Sequence, residues 1–206
     1  MQNVTSCWNC GKSVEEVHFC EACRSLQPPA TNYYDFFGLE HKLNLDLEDL
    51  EKRFYTLSRR LHPDVYFRRS EQERQYSLDA SAILNDGYRV LRNPVTRAEY
   101  LLAEEGFDSA GRKSQNVPPE LLEEVFDLNE SLEEFRQGDE SVRPQVEAAE
   151  RHLFEKREEI DRELESKFEE YDRTKSRDIL MDIQGLLNKR QYIRNLIEEI
   201  EKELVG

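Results

Sequence analysis

The chain lacks any apolar run near the roughly 18 residues that a membrane-spanning helix needs, so nothing in it reads as a transmembrane segment. Glycine and proline are sparse, at 8 and 7 of 206 residues. That scarcity excludes collagen-like, linker-dominated and turn-rich all-β architectures. No internal repeat at a solenoid period is present. Cysteine is absent after residue 23, so the thiols serve one local site rather than the whole chain. Positive charge is in deficit: 29 Lys+Arg against 44 Asp+Glu leave a formal net charge of −15. An acidic balance argues against bulk nucleic-acid binding, which needs a basic surface. Glu15, Glu16 and Glu21 near the N-terminus fit neither a secretory signal nor an acid-poor, Arg-rich transit peptide.

What remains is helical. Hydrophobic residues make up 37% and charged residues 35%, a balance suited to small helical units with wide solvated faces. Punctuation divides the chain into an N-terminal cysteine segment over 1–26, a second segment over 33–108, and a third over 118–206. The polar stretch 109–116, with Gly111 inside it, reads as a linker. In the second segment, Leu50, Phe54, Leu57 and Leu61 recur at helical spacing. Asp46 is placed to cap that helix, with Asp49 at the third helical position. Pro63 stops it at Leu61 or His62, because proline disfavours α conformation in the residue before it. Tyr76, Ala80, Ile83, Leu84, Tyr88 and Leu91 mark a second helix. A third starts at Asn93-Pro94 and ends at Gly106.

Three further stripes follow Pro118-Pro119. Leu121, Val125, Leu128, Leu132 and Phe135 form the first, on a helix from about Pro119. Val142, Val146, Ala149, Leu153, Ile160, Leu164 and Tyr171 form the second. Ile179, Ile183, Leu186, Ile193, Ile197, Ile200 and Leu204 form the third. Near-heptad spacing predicts shallow antiparallel packing in a bundle. This segment holds 14 Lys+Arg and 26 Asp+Glu, so −12 of the net charge sits there. The fold class expected is mostly α, with a small four-cysteine zinc module, a middle helical domain and a C-terminal three-helix bundle.

Cys7-Trp8-Asn9-Cys10-Gly11 precedes Cys20-Glu21-Ala22-Cys23. Two Cys-x-x-Cys pairs can each wrap a turn around one metal ion and complete a tetrahedral sulfur set, and soft thiolates select zinc. Cys7, Cys10, Cys20 and Cys23 are therefore the expected ligands of one structural zinc. Gly11 suits the turn, and four ligands leave no open position for catalysis. The alternative, a redox dithiol, needs a βαβ setting, and no strand pattern lies nearby. His18 is redundant as a ligand and reads as a surface or packing histidine. Because no later residue is a ligand, neither later segment is expected to depend on the metal.

His62-Pro63-Asp64 sits where two helices meet. The helix before it turns Lys52, Arg53, Arg59 and Arg60 away from its apolar stripe. Residues 51–69 hold six Lys+Arg and two Asp+Glu, a local +4 in an acidic chain. Together with Tyr33-Tyr34-Asp35-Phe36-Phe37-Gly38-Leu39 and Ile83-Leu84-Asn85-Asp86-Gly87-Tyr88, these residues resemble a J-domain. The run Asn93-Pro94-Val95-Thr96-Arg97-Ala98-Glu99-Tyr100 and the acidic bundle resemble the HscB branch of that family, over about residues 31–206. The cysteine segment is similar to that of animal mitochondrial HscB co-chaperones.

The resemblance implies a J-type co-chaperone and no enzyme. It implies a J-domain over 33–108 that docks on a DnaK-type chaperone and stimulates its ATPase. The chaperone-binding residues so implied are His62, Pro63 and Asp64, supported by Lys52, Arg53, Arg59 and Arg60. It implies a bundle over 118–206 that delivers an iron–sulfur scaffold protein of the IscU type, with cluster recipients as further partners. It also implies a mitochondrial matrix setting with room for a cytosolic pool, and neither nucleic-acid nor membrane partners. On the first bundle helix, Leu122 and Phe126 fall roughly 100–140° off the core stripe at 3.6 residues per turn, flanked by Asp127, Glu130 and Glu134. An apolar centre with a charged rim is how partner interfaces are built; a broad core face is the competing reading. The resemblance makes this the scaffold-binding face and adds Tyr192 from the last helix. Other classes weighed are a general DnaJ-like co-chaperone, which needs an apolar peptide groove, a zinc-module adaptor, and a thiol oxidoreductase.

Overall fold

A computed structural model describes residues 5–107 and 121–205. The expected linker over 109–116 and the Pro118-Pro119 helix start lie outside the described residues. Among the described residues, no helix is long and apolar enough to cross a membrane. The chain divides into two compact units, Met1–Tyr100 and Leu101–Gly206.

The first unit opens on a short antiparallel ribbon, β1 (Thr5–Ser6) with β2 (Ser13–Val14), pairing Thr5 with Val14 and Ser6 with Ser13. No strand was expected here, since two residues are too few for an alternating pattern to register. Helix α1 (Tyr33–Phe37) is capped by Asn32, whose side chain accepts from the Tyr34 and Asp35 amides. Helix α2 (Leu47–Leu61) is capped by Asp46 in the way its sequence implies, accepting from Glu48 and Asp49. It stops at Leu61, with His62 extended before Pro63. Pro63 then begins the one-turn helix α3 (Pro63–Tyr66). Helix α4 (Glu71–Arg92) returns along α2, and α5 (Pro94–Glu104) follows.

Leu50, Leu57 and Leu61 are buried as the stripe predicts. Phe54 is half-buried, with its ring stacked on Tyr88 at 4.3 Å between centroids. Helix α1 seats on α4 at Gly87, where a Cβ would come within 3.0 Å of the Tyr33 and Phe37 rings. Arg97 is buried and ties three segments together. It donates from Nε to the Leu43 carbonyl (2.7 Å) and from its guanidinium to the Leu91 carbonyl (2.5 Å).

The cysteine segment packs against the helices of its own unit. Trp8 meets Tyr76 of α4 edge-on at 6.0 Å. His18 meets Phe36 of α1 at 4.7 Å. Phe19 lies under the Arg60 guanidinium of α2 at 4.5 Å. A segment with so little core of its own gains from borrowing a neighbour's apolar surface.

The second unit contains three described helices of the bundle: α6 (Leu122–Arg136), α7 (Arg143–Thr174) and α8 (Arg177–Val205). Helices α7 and α8 are antiparallel, fastened by Lys167–Asp182 (2.8 Å) and Arg190–Asp161 (2.5 Å). Leu121, Val125, Leu128 and Leu132 line the core from the first strip of chain, and Val146, Leu153, Ile160, Leu164 and Tyr171 from α7. Phe168 joins them without having been singled out. On α8, Ile183, Ile193, Ile197 and Ile200 are buried as the stripe predicts, and the correction falls in its first half, where Leu180 and Leu187 are buried and Ile179 and Leu186 are half-buried. Both choices keep helical spacing there, and the antiparallel seating of α7 decides between them.

Candidate metal centre, exposed turn and apolar patch

The two Cys-x-x-Cys segments fold as near-copies of one another. In the first, the Cys7 amide donates to the Lys12 carbonyl (2.7 Å) and the Gly11 amide to the Cys7 carbonyl (2.9 Å). In the second, the Cys20 amide donates to Ser25 (3.0 Å) and the Arg24 amide to Cys20 (2.8 Å). Gly11 and Arg24 occupy the same place in each turn, and both are left-handed, with φ of +72° and +62°. Glycine announces such a turn; arginine does not, so the second was invisible in the sequence.

The four sulfurs lie within 4.8 Å of one another, with Cys7–Cys23 at 3.6 Å and Cys10–Cys20 at 3.7 Å. A tetrahedron of sulfurs about 2.3 Å from one ion has edges of about 3.8 Å, so the donor set fits a single metal. Burial pushes the Cys7 thiol up, but hydrogen bonds from the Ser25 hydroxyl, the Cys10 and Asn9 amides and Cys23 outweigh it and hold the group near a pKa of about 5. Cys10 is pushed up to about 11: the Lys12 amide favours its thiolate, but burial and the three neighbouring sulfurs oppose it. Sulfurs this close cannot all ionise without a cation among them. Ser25 and Gln27 support the set, the Ser25 hydroxyl 3.0 Å from Cys23 and the Gln27 amide donating to Cys7 at 3.4 Å. Neither carried a sequence signal, because supporting partners of a metal site follow no spacing rule. His18 is not among the ligands. Its Nε2 hydrogen-bonds the Phe36 carbonyl at 2.9 Å, and burial pulls its ring below the ordinary histidine value.

At the His-Pro-Asp turn the side chain of Asp64 is 91% exposed. The Asp64 amide donates to Nδ1 of His62 at 3.3 Å, so the imidazole caps α3 and shapes the turn. Two hydroxyls close the end of α2: Tyr66 donates to the Arg60 carbonyl (3.1 Å) and Ser77 to the Leu61 carbonyl (2.6 Å). These satisfy carbonyls that a helix end leaves without partners.

The four basic residues of α2 differ in availability. Lys52 and Arg59 are exposed. Arg60 is exposed but rests on Phe19. Arg53 is half-buried and committed to the fold: it donates to Asp49 (2.7 Å) and to the Phe37 and Gly38 carbonyls (each 3.0 Å), joining α2 to α1. Sequence reasoning passed over Phe67 and Leu78, which are exposed and line a groove with Pro63, Asp64 and Arg74.

On α6 the second apolar pair lies outside the core: Leu122 is 54% and Phe126 70% exposed, with Asp127, Glu130 and Glu134 exposed beside them. Arg136 pairs with Glu199 (2.9 Å) and Glu203 (2.8 Å) of α8, an offset of 63 to 67 residues between helices that run parallel. The same offset sets Phe126 level with residues 189–193, the stretch that holds half-buried Tyr192.

Residues 117–201 match a family described as the HSCB C-terminal oligomerisation domain. The chain is 30% identical to the mouse iron–sulfur cluster co-chaperone protein HscB, over 95% of this chain and 81% of that protein. It is 29% identical to the human protein of the same name, over 97% and 82%. Its fold is similar to the crystal structure of human co-chaperone protein HscB, with a TM-score of 0.73 and 28% identity over 98% of this chain and 99% of the other. Chaperone HscB from Vibrio cholerae follows at a TM-score of 0.58 and 26% identity, covering 83% of this chain and 96% of its own.

Proposed function

Because the chain belongs to the HscB family of iron–sulfur cluster co-chaperones, we propose that it acts as a J-type co-chaperone delivering an iron–sulfur scaffold of the IscU type to a DnaK-type chaperone. In this reading residues 33–108 are the J-domain, 118–206 the cargo bundle and 1–26 a module holding one structural zinc. The relatives are named co-chaperones rather than enzymes, and the chain is assigned to the mitochondrial matrix.

The observation that carries this reading is the solvent-facing Asp64 carboxylate on a turn held from both sides. A carboxylate so presented can accept a charge-assisted hydrogen bond from a chaperone arginine. Lys52 and Arg59 add a positive field that raises the encounter rate with an acidic surface and orients it. The bundle offers Leu122 and Phe126 as an apolar centre within an acidic rim, the build of a partner interface.

The test is a chaperone ATPase assay with the full chain. Asp64→Asn removes the charge and keeps the shape, and stimulation is expected to vanish while scaffold capture persists. Undiminished stimulation by Asp64→Asn defeats the assignment of the turn.

A further inference from the structure

The metal segment touches both flanks of the His-Pro-Asp loop. Residues 62–70 run from the end of α2 to the start of α4. On the α2 flank, the Phe19 ring carries the Arg60 guanidinium, and the carbonyl of the same residue takes the Tyr66 hydroxyl. On the α4 flank, Ser70 and Glu73 form a reciprocal cap: the Glu73 amide donates to Ser70 Oγ (3.3 Å) and the Ser70 hydroxyl to Glu73 Oε2 (3.1 Å). The other oxygen, Glu73 Oε1, accepts the amide of Leu26 at 3.4 Å, and Leu26 accepts the Trp8 indole at 2.7 Å.

Glu73 is only 9% exposed, and a carboxylate is rarely buried unless paired. Its partners here are a helix cap and the backbone of the metal segment. One acid therefore gathers the cap of α4 and the stretch of chain leaving the metal centre. That segment has a core cluster of Cys7, Val14 and Cys20 with Cys23 against it. A core so small and made of ligands depends on the ion for its order.

We propose that the metal segment braces the His-Pro-Asp loop, with Phe19 and the Leu26 amide as positioning groups that act through Arg60 and Glu73. Metal loading then sets how well ordered the turn is before it meets its partner. The consequence for chaperone stimulation rests on the co-chaperone reading above; the coupling within the chain does not.

The full chain is compared loaded with zinc and after treatment with chelator and reductant, by amide hydrogen exchange. The amides of Val65, Arg69 and Arg74 close the loop onto the carbonyls of His62, Tyr66 and Ser70. Their exchange is expected to rise about tenfold on chelation, while amides of α7 and α8 hold their rates. In loaded protein, Phe19→Ala should reproduce part of that rise. It should also raise the concentration for half-maximal ATPase stimulation about threefold with the maximum retained. In metal-free protein the same substitution should add nothing. Glu73→Gln, which keeps the side-chain shape, should speed exchange at Arg74. Unchanged exchange at the loop on chelation overturns the brace, and so does a Phe19→Ala effect of equal size with and without metal. A loaded wild-type chain that stimulates no DnaK-type chaperone defeats the co-chaperone reading instead, and the exchange data still decide the brace.

Discussion

At the scale of single residues, two turns of equal shape are built from unequal chemistry. Gly11 accepts a left-handed backbone at little steric cost, whereas Arg24 holds the same conformation with a Cβ present. Arg24→Gly should therefore stabilise the metal-loaded protein by about 0.5–1 kcal/mol, a gain read as a higher denaturant midpoint. Loss of stability would show that the Arg24 side chain contributes more than its backbone strain. The second turn takes its shape from the sulfurs and carbonyls it must converge on, so the conformation is set by ligand geometry rather than by residue type. At the His-Pro-Asp turn, by contrast, each residue declares its part. Proline sets the extended backbone before it, the imidazole accepts the amide two residues on, and the acid is left facing water.

At the scale of elements, close approach decides what a position tolerates. Gly87 lies inside α4, where alanine is ordinarily preferred by about 1 kcal/mol. A methyl group there meets Tyr33 and Phe37 at 3.0 Å, and neither ring can retreat, since Phe37 is buried and Tyr33 stacks on Tyr100 at 4.6 Å. Overpacking should win, so Gly87→Ala is expected to destabilise the first unit by about 1 kcal/mol net, measured by thermal or denaturant unfolding. On α6 the reverse holds. Leu122 and Phe126 are exposed, so Leu122→Ala with Phe126→Ala and Tyr192→Ala should move the melting temperature little. In the proposed scaffold interface each anchor is expected to cost on the order of 1–2 kcal/mol of binding, read by titration calorimetry. A triple variant that melts far below wild type would place these side chains in the core and remove the docking face.

At the scale of the whole molecule, charge is partitioned rather than spread. Residues 51–69 carry a net +4, while 118–206 carry −12. Contacts steered by exposed charge weaken as salt shortens the screening length from about 10 Å at 0.1 M. Arg59→Glu should thus reduce chaperone stimulation, with a larger deficit at low salt than at high, and should leave scaffold capture unaltered. Equal deficits at both salts would argue for a local packing role instead. The cysteine segment belongs to the same unit as the turn, and metal loss is therefore expected to be felt there before it is felt in the bundle.

The sequence by itself determined the elements and the chemistry. Helix stops at Pro63, caps at Asp46 and Asn93, and the cysteine spacing are local statements, written in residue type and period, whereas the exposure of Leu122 and Phe126 was settled only by the fold. Tertiary structure alone decided that Leu180 and Leu187, rather than Ile179 and Leu186, face inward on the first half of α8, since that depends on where α7 lies. It alone showed that Arg53 serves the fold while Lys52 and Arg59 face water, and that Ser25 and Gln27 attend the sulfurs. It alone joined Phe19 to Arg60 and Leu26 to Glu73. Those contacts bridge residues 41 and 47 apart in the chain, a separation at which neither propensity nor pattern constrains partners and only packing does.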